Sequence, residues 1–116
     1  MRIAGIDIGA TTVKCGVLEE DGSLTPFGSL PTPVGEPERL ADDVARTVAR
    51  MDVRMVGIGS AGAVVAHNYV TSNNLSWVGV PFGEMMRARL SCPVWLDNDA
   101  QAALMAEWHD GACTGM

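Results

Sequence analysis

The sequence has no Cys-x-x-Cys pair. Its three cysteines, Cys15, Cys92 and Cys113, are odd in number and far apart. That spacing argues against a disulfide framework or a zinc site and for free thiols in a reducing cytosol. No apolar run approaches the roughly 20 residues that cross a bilayer. The apolar start is interrupted by Asp7 and Lys14, a strand pattern rather than a signal peptide. Basic charge is sparse. Eight Lys and Arg are scattered among fourteen Asp and Glu, for a net charge of −6 and a pI of about 4.6. No footprint for nucleic acid or for an anionic membrane is visible. Histidine is scarce too, and His67 and His109 are isolated, so both read as surface residues. No GxGxxG follows the first strand, which excludes a dinucleotide-binding fold, and no GxxxxGK[ST] is present, which excludes a P-loop. There is no internal repeat and no low-complexity linker.

What remains is the composition of one globular domain with a core: 47% hydrophobic and 19% charged residues in a chain of 116. Thirteen glycines imply tight turns or close backbone approaches. Arg2 to Ile8 reads as a buried strand, Gly9 to Thr12 as a turn, and Val13 to Glu19 as a second strand. Val13, Cys15 and Val17 share one face of it, with Lys14, Gly16 and Leu18 on the other. Glu20 to Ser23 is a turn, so these strands and Leu24 to Leu30 run as hairpins. Pro37 suits the first turn of a helix on which Leu40, Val44, Val48 and Met51 recur at spacings of four and three. Arg54 to Ile58 is the next strand and Gly59 to Gly62 a turn. Tyr69 to Thr71 reads as a short strand, Pro81 to Leu90 as a short helix, Pro93 to Leu96 as the last strand and Ala100 to Trp108 as the last helix. Antiparallel strands first and α/β crossovers after predict a mixed sheet with helices against it.

Four patches carry chemistry. In Gly5-Ile6-Asp7-Ile8-Gly9-Ala10-Thr11-Thr12-Val13-Lys14, an Asp ends a strand, where it can hold magnesium through water. The turn after it offers N–H groups and hydroxyls to phosphate oxygens, and Lys14 adds a charge if the alternation points it inward. The plain reading is an ordinary hairpin turn. The small residues of Gly57 to Val64 let backbone approach either a ligand hydroxyl or the neighbouring sheet. Asn73-Asn74-Leu75-Ser76-Trp77 offers adjacent amides to a polyhydroxy ligand, with Trp77 either stacked on a sugar ring or packed in the core. Asp97-Asn98-Asp99 sits where a strand gives way to a helix, so it serves as a helix cap, as a base with an orienting amide, or as both.

These four patches, in this order, resemble the ROK family of sugar kinases and sugar-responsive repressors, within the actin-like and hexokinase-like superfamily. Asn74-Leu75-Ser76-Trp77 is similar to its NL-x-W element, and Asp97 to Glu107 to its catalytic segment. The resemblance implies an α/β fold, a ribonuclease H-like (actin-like ATPase) lobe: a mixed sheet with antiparallel first strands and helices packed against it. It implies ATP and Mg2+ as cofactors and a hexose or N-acetylhexosamine as substrate, phosphorylated at the 6-hydroxyl. By resemblance Asp99 is the catalytic base. Gly62, Ala63, Asn73, Asn98 and Asp99 contact the sugar; Asp7, Gly9, Ala10, Thr11, Thr12 and Lys14 serve ATP phosphate and magnesium. Two positions depart from the family pattern: Ala10 replaces a glycine, and Thr12 replaces the commoner Lys or Asn.

Residues 1–116 are expected to form a single N-terminal lobe, without the second lobe and its zinc-binding His/Cys cluster, so no zinc site is expected here. The expected protein is cytoplasmic and homodimeric, with no nucleic-acid or membrane partner. The alternatives are a non-catalytic sugar-sensing regulator lobe, a degenerate dimerising fragment, or a more distant kinase of the superfamily.

Overall fold

The computed structural model of the chain describes residues 2–19, 21 and 23–99. Strand β1 (Ile3–Ile8) is buried at every position except Asp7, as a strand covered on both faces must be. Its antiparallel partner β2 (Thr12–Leu18) pairs in turn with β3 (Leu24–Pro31), which is mostly exposed and carries a bulge opposite Cys15 and Gly16. The chain then crosses through helix α1 (Pro37–Ala49) to β4 (Met55–Ser60), parallel to β1 and buried throughout. Strand β8 (Val94–Asp97) adds parallel to β4 and completes a five-stranded sheet in the order β3-β2-β1-β4-β8. The expected mixed sheet is present, with each strand within a residue or two of its sequence reading.

Helix α1 covers one face. Its Leu40, Val44 and Val48 pack with Ile6, Ile8, Val13, Cys15, Ile58 and Leu96 in the main core. Pro37 occupies the first turn as expected, and Met51 is buried just past the helix end. Each such aliphatic side chain stabilises the fold by roughly 1.5–3 kcal/mol relative to exposure. On the opposite face Gly16, Gly5 and Gly57 are consecutive cross-strand partners. A β-carbon at Gly5 would stand 2.5 Å from Leu24 and 2.6 Å from Leu18. The bare row thus admits two leucines that close a smaller cluster with Ile3 and Met55.

The sequence predicts a turn at Gly59 to Gly62, of which Gly59 and Ser60 instead end β4, and only one short strand, Tyr69 to Thr71, in the residues 61–80 that follow. They form a second, antiparallel sheet of β5 (Ala63–Val65), β6 (Tyr69–Ser72) and β7 (Trp77–Pro81). These strands are too short for alternation to register, and positive φ angles at Ala66, His67 and Ser76 form turns that residue type does not announce. Helix α2 (Phe82–Arg89) follows. Pro81 cannot cap it with a side chain; Asn68, from the β5–β6 turn, does so instead. Its backbone oxygen accepts the Gly83 N–H at 3.2 Å, and its Oδ1 accepts the Glu84 N–H at 2.6 Å. Arg89 joins the two helices, donating to Glu38 and Asp42 at 2.7 Å each. The helix expected over Ala100 to Trp108 lies outside the described residues. Replacing Leu40, wholly buried under α1, by alanine is expected to cost about 2–5 kcal/mol in urea unfolding; a loss below ~1 kcal/mol would show that α1 is not packed on the sheet.

Candidate functional site

Because β1, β4 and β8 are parallel, their carboxyl ends lie along one edge of the sheet. Ile8 stands opposite Ser60, and Gly59 opposite Asp97. Gly9 to Thr12, Ala61 to Ala63 and Asn98-Asp99 therefore leave the sheet together, where α/β proteins hold ligands. The Ala61 N–H donates to the Ile8 carbonyl at 3.1 Å, which locks two of these exits to each other.

The first turn is tight. The Gly9 N–H donates to the Thr12 carbonyl at 3.1 Å. Thr32 backs it: its hydroxyl donates to the Gly9 carbonyl at 2.9 Å and its N–H to the Thr11 carbonyl at 2.9 Å. Nothing in the sequence singled out Thr32, which lies in a Pro-Thr-Pro loop. Ala10 is exposed, and its φ is not among the positive ones, so a methyl group there strains nothing. Thr11 and Thr12 are exposed beside it.

Asp7 and Lys14 are direct cross-strand partners and share a face, which answers where Lys14 points. Both are exposed, and they line a cleft of about 590 Å³ with Leu24, Pro26, Gly28 and Ser29. No carboxylate among the described residues is in salt-bridge distance of Lys14, the chain's one lysine. Along the same row Asp7, Gly59 and Asp97 are successive partners. Gly59 interposes no side chain, and two strand spacings separate the carboxylate-bearing residues by about 10 Å. One or two carboxylates with room for water between them suit a hydrated magnesium ion, which seldom has an all-protein shell. No cluster of three or more potential metal ligands occurs among the described residues.

On the β4 side Gly62 has φ +96°, and a β-carbon there would lie 2.3 Å from the Thr71 carbonyl and 2.7 Å from Ser72 Cβ. This close approach brings Gly62 and Ala63 against the end of β6, next to Asn73. Asn73 and Asn74 are exposed, whereas Leu75 and Trp77 are buried. Trp77 stacks on Phe82 with ring centroids 5.0 Å apart, so of its two readings the core position holds. The asparagine-leucine-x-tryptophan pattern is an anchor of two apolar residues that leaves the amides outside. At the end of β8, Asn98 and Asp99 are exposed, and the Asn98 N–H donates to the Asp97 carboxylate at 2.7 Å.

Residues 3–116 match the model of the ROK family. The chain belongs to the ROK family. It is 36% identical over 117 residues to the glucokinase of Streptomyces coelicolor, covering 96% of this chain and 37% of that protein. It is 29% identical over 115 residues to the N-acetylmannosamine kinase of Salmonella typhimurium, covering 94% and 40%. A solved ROK family glucokinase from Streptomyces griseus, in complex with glucose and AMPPNP, superimposes with a TM-score of 0.75 at 32% identity, covering 93% of this chain and 36% of that one. This ROK chain thus spans a little over a third of the length of the curated relatives it matches, 37% for the S. coelicolor glucokinase. Its fold is the actin-like ATPase lobe of these sugar kinases.

His67 is exposed, as its sequence reading has it, and its ring also packs on Trp95 with centroids 4.1 Å apart and planes tilted by 36°. Arg87, unremarked in the sequence, donates to the backbone oxygens of Val94 and His67. Burial pushes the Cys15 and Cys92 thiols up, which disfavours the reactive thiolate. His109 and Cys113 lie outside the described residues. No helix among the described residues is long and apolar enough to cross a membrane. Replacing Gly62 by alanine is expected to destabilise the chain by roughly 1–3 kcal/mol in urea, because positive φ and the Thr71 carbonyl both oppose a β-carbon. An unchanged midpoint would show that the loop has room to relax.

Proposed function

We propose that the polypeptide carrying this chain transfers the γ-phosphoryl group of ATP to the 6-hydroxyl of a hexose or N-acetylhexosamine, and that residues 1–116 are its N-terminal lobe. The observation that carries this reading is the shared edge. The turn that offers phosphate ligands, the glycine loop that offers backbone to a sugar, and a carboxylate able to act as base all leave three parallel strands at their carboxyl ends, and Gly62 packs against the end of β6 beside the paired amides. The glucokinase and N-acetylmannosamine kinase relatives support the substrate class, and the AMPPNP bound by the S. griseus enzyme supports the nucleotide.

In this mechanism Gly62, Ala63 and Asn73 hold the sugar, and Asn98 orients its 6-hydroxyl. Asp99 accepts the hydroxyl proton as the sugar oxygen bonds to the γ-phosphorus in line with the departing ADP oxygen. Gly9, Ala10, Thr11 and Thr12 cradle phosphate oxygens with N–H and hydroxyl donors, and Lys14 supplies a positive charge. Asp7 would hold magnesium through water; when bound, the ion neutralises charge on the phosphates. Positioning and charge neutralisation supply most of the rate. The exposed apolar side chains Val65, Tyr69 and Val78 support a homodimer or a second lobe packed on the small sheet. The reading also carries a cytoplasmic location.

In the complete polypeptide, Asp99→Asn is expected to lower kcat by about 10²–10⁴-fold while sugar affinity by calorimetry changes only a few-fold; unchanged turnover would remove Asp99 as the base. The 116-residue chain alone is expected to form no hexose 6-phosphate. Product from it in a coupled assay would show that these residues suffice for the reaction.

A further inference from the structure

Ala66 and His67 adopt φ of +55° and +53° in succession. Two residues bearing β-carbons in the left-handed region form an unfavourable turn, held by what surrounds it. This turn closes the β5–β6 hairpin and sets the imidazole against β8. His67 Nδ1 lies 3.0 Å from the Leu96 carbonyl oxygen. That oxygen can only accept, so Nδ1 carries the proton. Leu96 is the residue immediately before Asp97-Asn98-Asp99.

Strand β8 is the last of the sheet among the described residues, paired on one side only. Its other carbonyls are met by side chains. Arg87 donates from Nε and Nη2 to the Val94 carbonyl at 3.3 Å each, and from Nη2 to the His67 carbonyl at 3.1 Å. His67 takes the next carbonyl along, two residues nearer the site. Linked through the His67 backbone, the two side chains stand where a further strand would.

We propose that His67 is a positioning residue for phosphoryl transfer: by fixing the Leu96 carbonyl and stacking on Trp95, it sets the direction in which Asp97-Asn98-Asp99 leave the sheet. The proposal rests on the reading of Asp99 as the base. The hairpin that carries His67 begins at Ala63 and leads on to Asn73, so one bond joins the sugar-side loops to the strand that delivers the carboxylate. Displacing a reacting group by about 1 Å costs roughly a hundredfold in rate. Loosening this bond therefore acts on kcat more than on sugar binding.

The test uses the complete polypeptide. His67→Phe keeps a ring over Trp95 and removes the donor; it is expected to lower kcat by about tenfold or more with sugar KM changed less than about threefold. His67→Asn offers an amide donor and tolerates the left-handed backbone; it is expected to return kcat to within about threefold of wild type. Wild-type kcat in His67→Phe overturns the proposal, as does an equal fall in both variants. A readout independent of activity and of the variants' folding is the tautomer. Two-bond proton–nitrogen spectra of the wild type in mildly alkaline buffer are expected to place the His67 proton on Nδ1, and a proton on Nε2 alone overturns the bond. Asp99→Asn measured alongside keeps the two claims apart. A wild type inactive on a panel of hexoses and N-acetylhexosamines sinks the kinase reading and the positioning role with it. Activity lost in Asp99→Asn but kept in His67→Phe sinks only the role of His67.

Discussion

Two strands of one sheet run parallel only if the chain crosses back between them, and each then releases its following loop at the same edge. The structure depends on this constraint. Helix α1 makes the first crossing, from the hairpin strands to β4. The small sheet and α2 make the second, from β4 to β8. Loops far apart in sequence become neighbours because hydrogen-bonded register allows no other arrangement: Ile8 beside Ser60, Gly59 beside Asp97. The burial of β4 at every position and of β1 at all but Asp7 makes that register costly to shift, since a slip of one residue turns each apolar side chain to the wrong face.

The two faces of the sheet do different work. The α1 side carries the large aliphatic residues and most of the stabilising burial. The other side steps from the pair Ile3 and Met55, through the row Gly16, Gly5 and Gly57, to the row Lys14, Asp7, Gly59 and Asp97. Apolar, bare and charged rows succeed one another toward the carboxyl edge. Polar groups thus gather where solvent and ligands arrive, while the bare row lets Leu18 and Leu24 seal the cluster behind them.

Much of this was legible in the sequence. Alternation in Val13, Cys15 and Val17 fixed which face of β2 meets the main core, and the spacing of Leu40, Val44 and Val48 fixed α1, because both periods are properties of the backbone itself. The clustering of Gly9 to Thr12 with Asp97 to Asp99 was legible only through resemblance; periodicity says nothing of which loops meet. The second sheet escaped because its strands have three to five residues, too few for a period of two to stand out. His67 escaped for a related reason. A lone histidine carries no pattern, and its contacts with Trp95 and Leu96 arise from a left-handed turn twenty-nine residues away in sequence. Thr32 likewise acts through a hydroxyl that meets Gly9 only once β3 has folded back beside β2.

The two margins of the large sheet show how the fold handles a general hazard of β-structure. An open edge with unsatisfied backbone groups can recruit a strand from another molecule. On the β3 side the answer is written in the chain: Pro26 and Pro31 have no N–H to offer, and the bulge at Phe27 bends the strand out of line. On the β8 side the carbonyls of Val94 and Leu96 are already taken by Arg87 and His67. The guanidinium and imidazole therefore act as a terminus for the sheet. They end its growth with polar side chains, and the margin they close is the one that leads to the carboxylates, where an intruding strand would do the most harm.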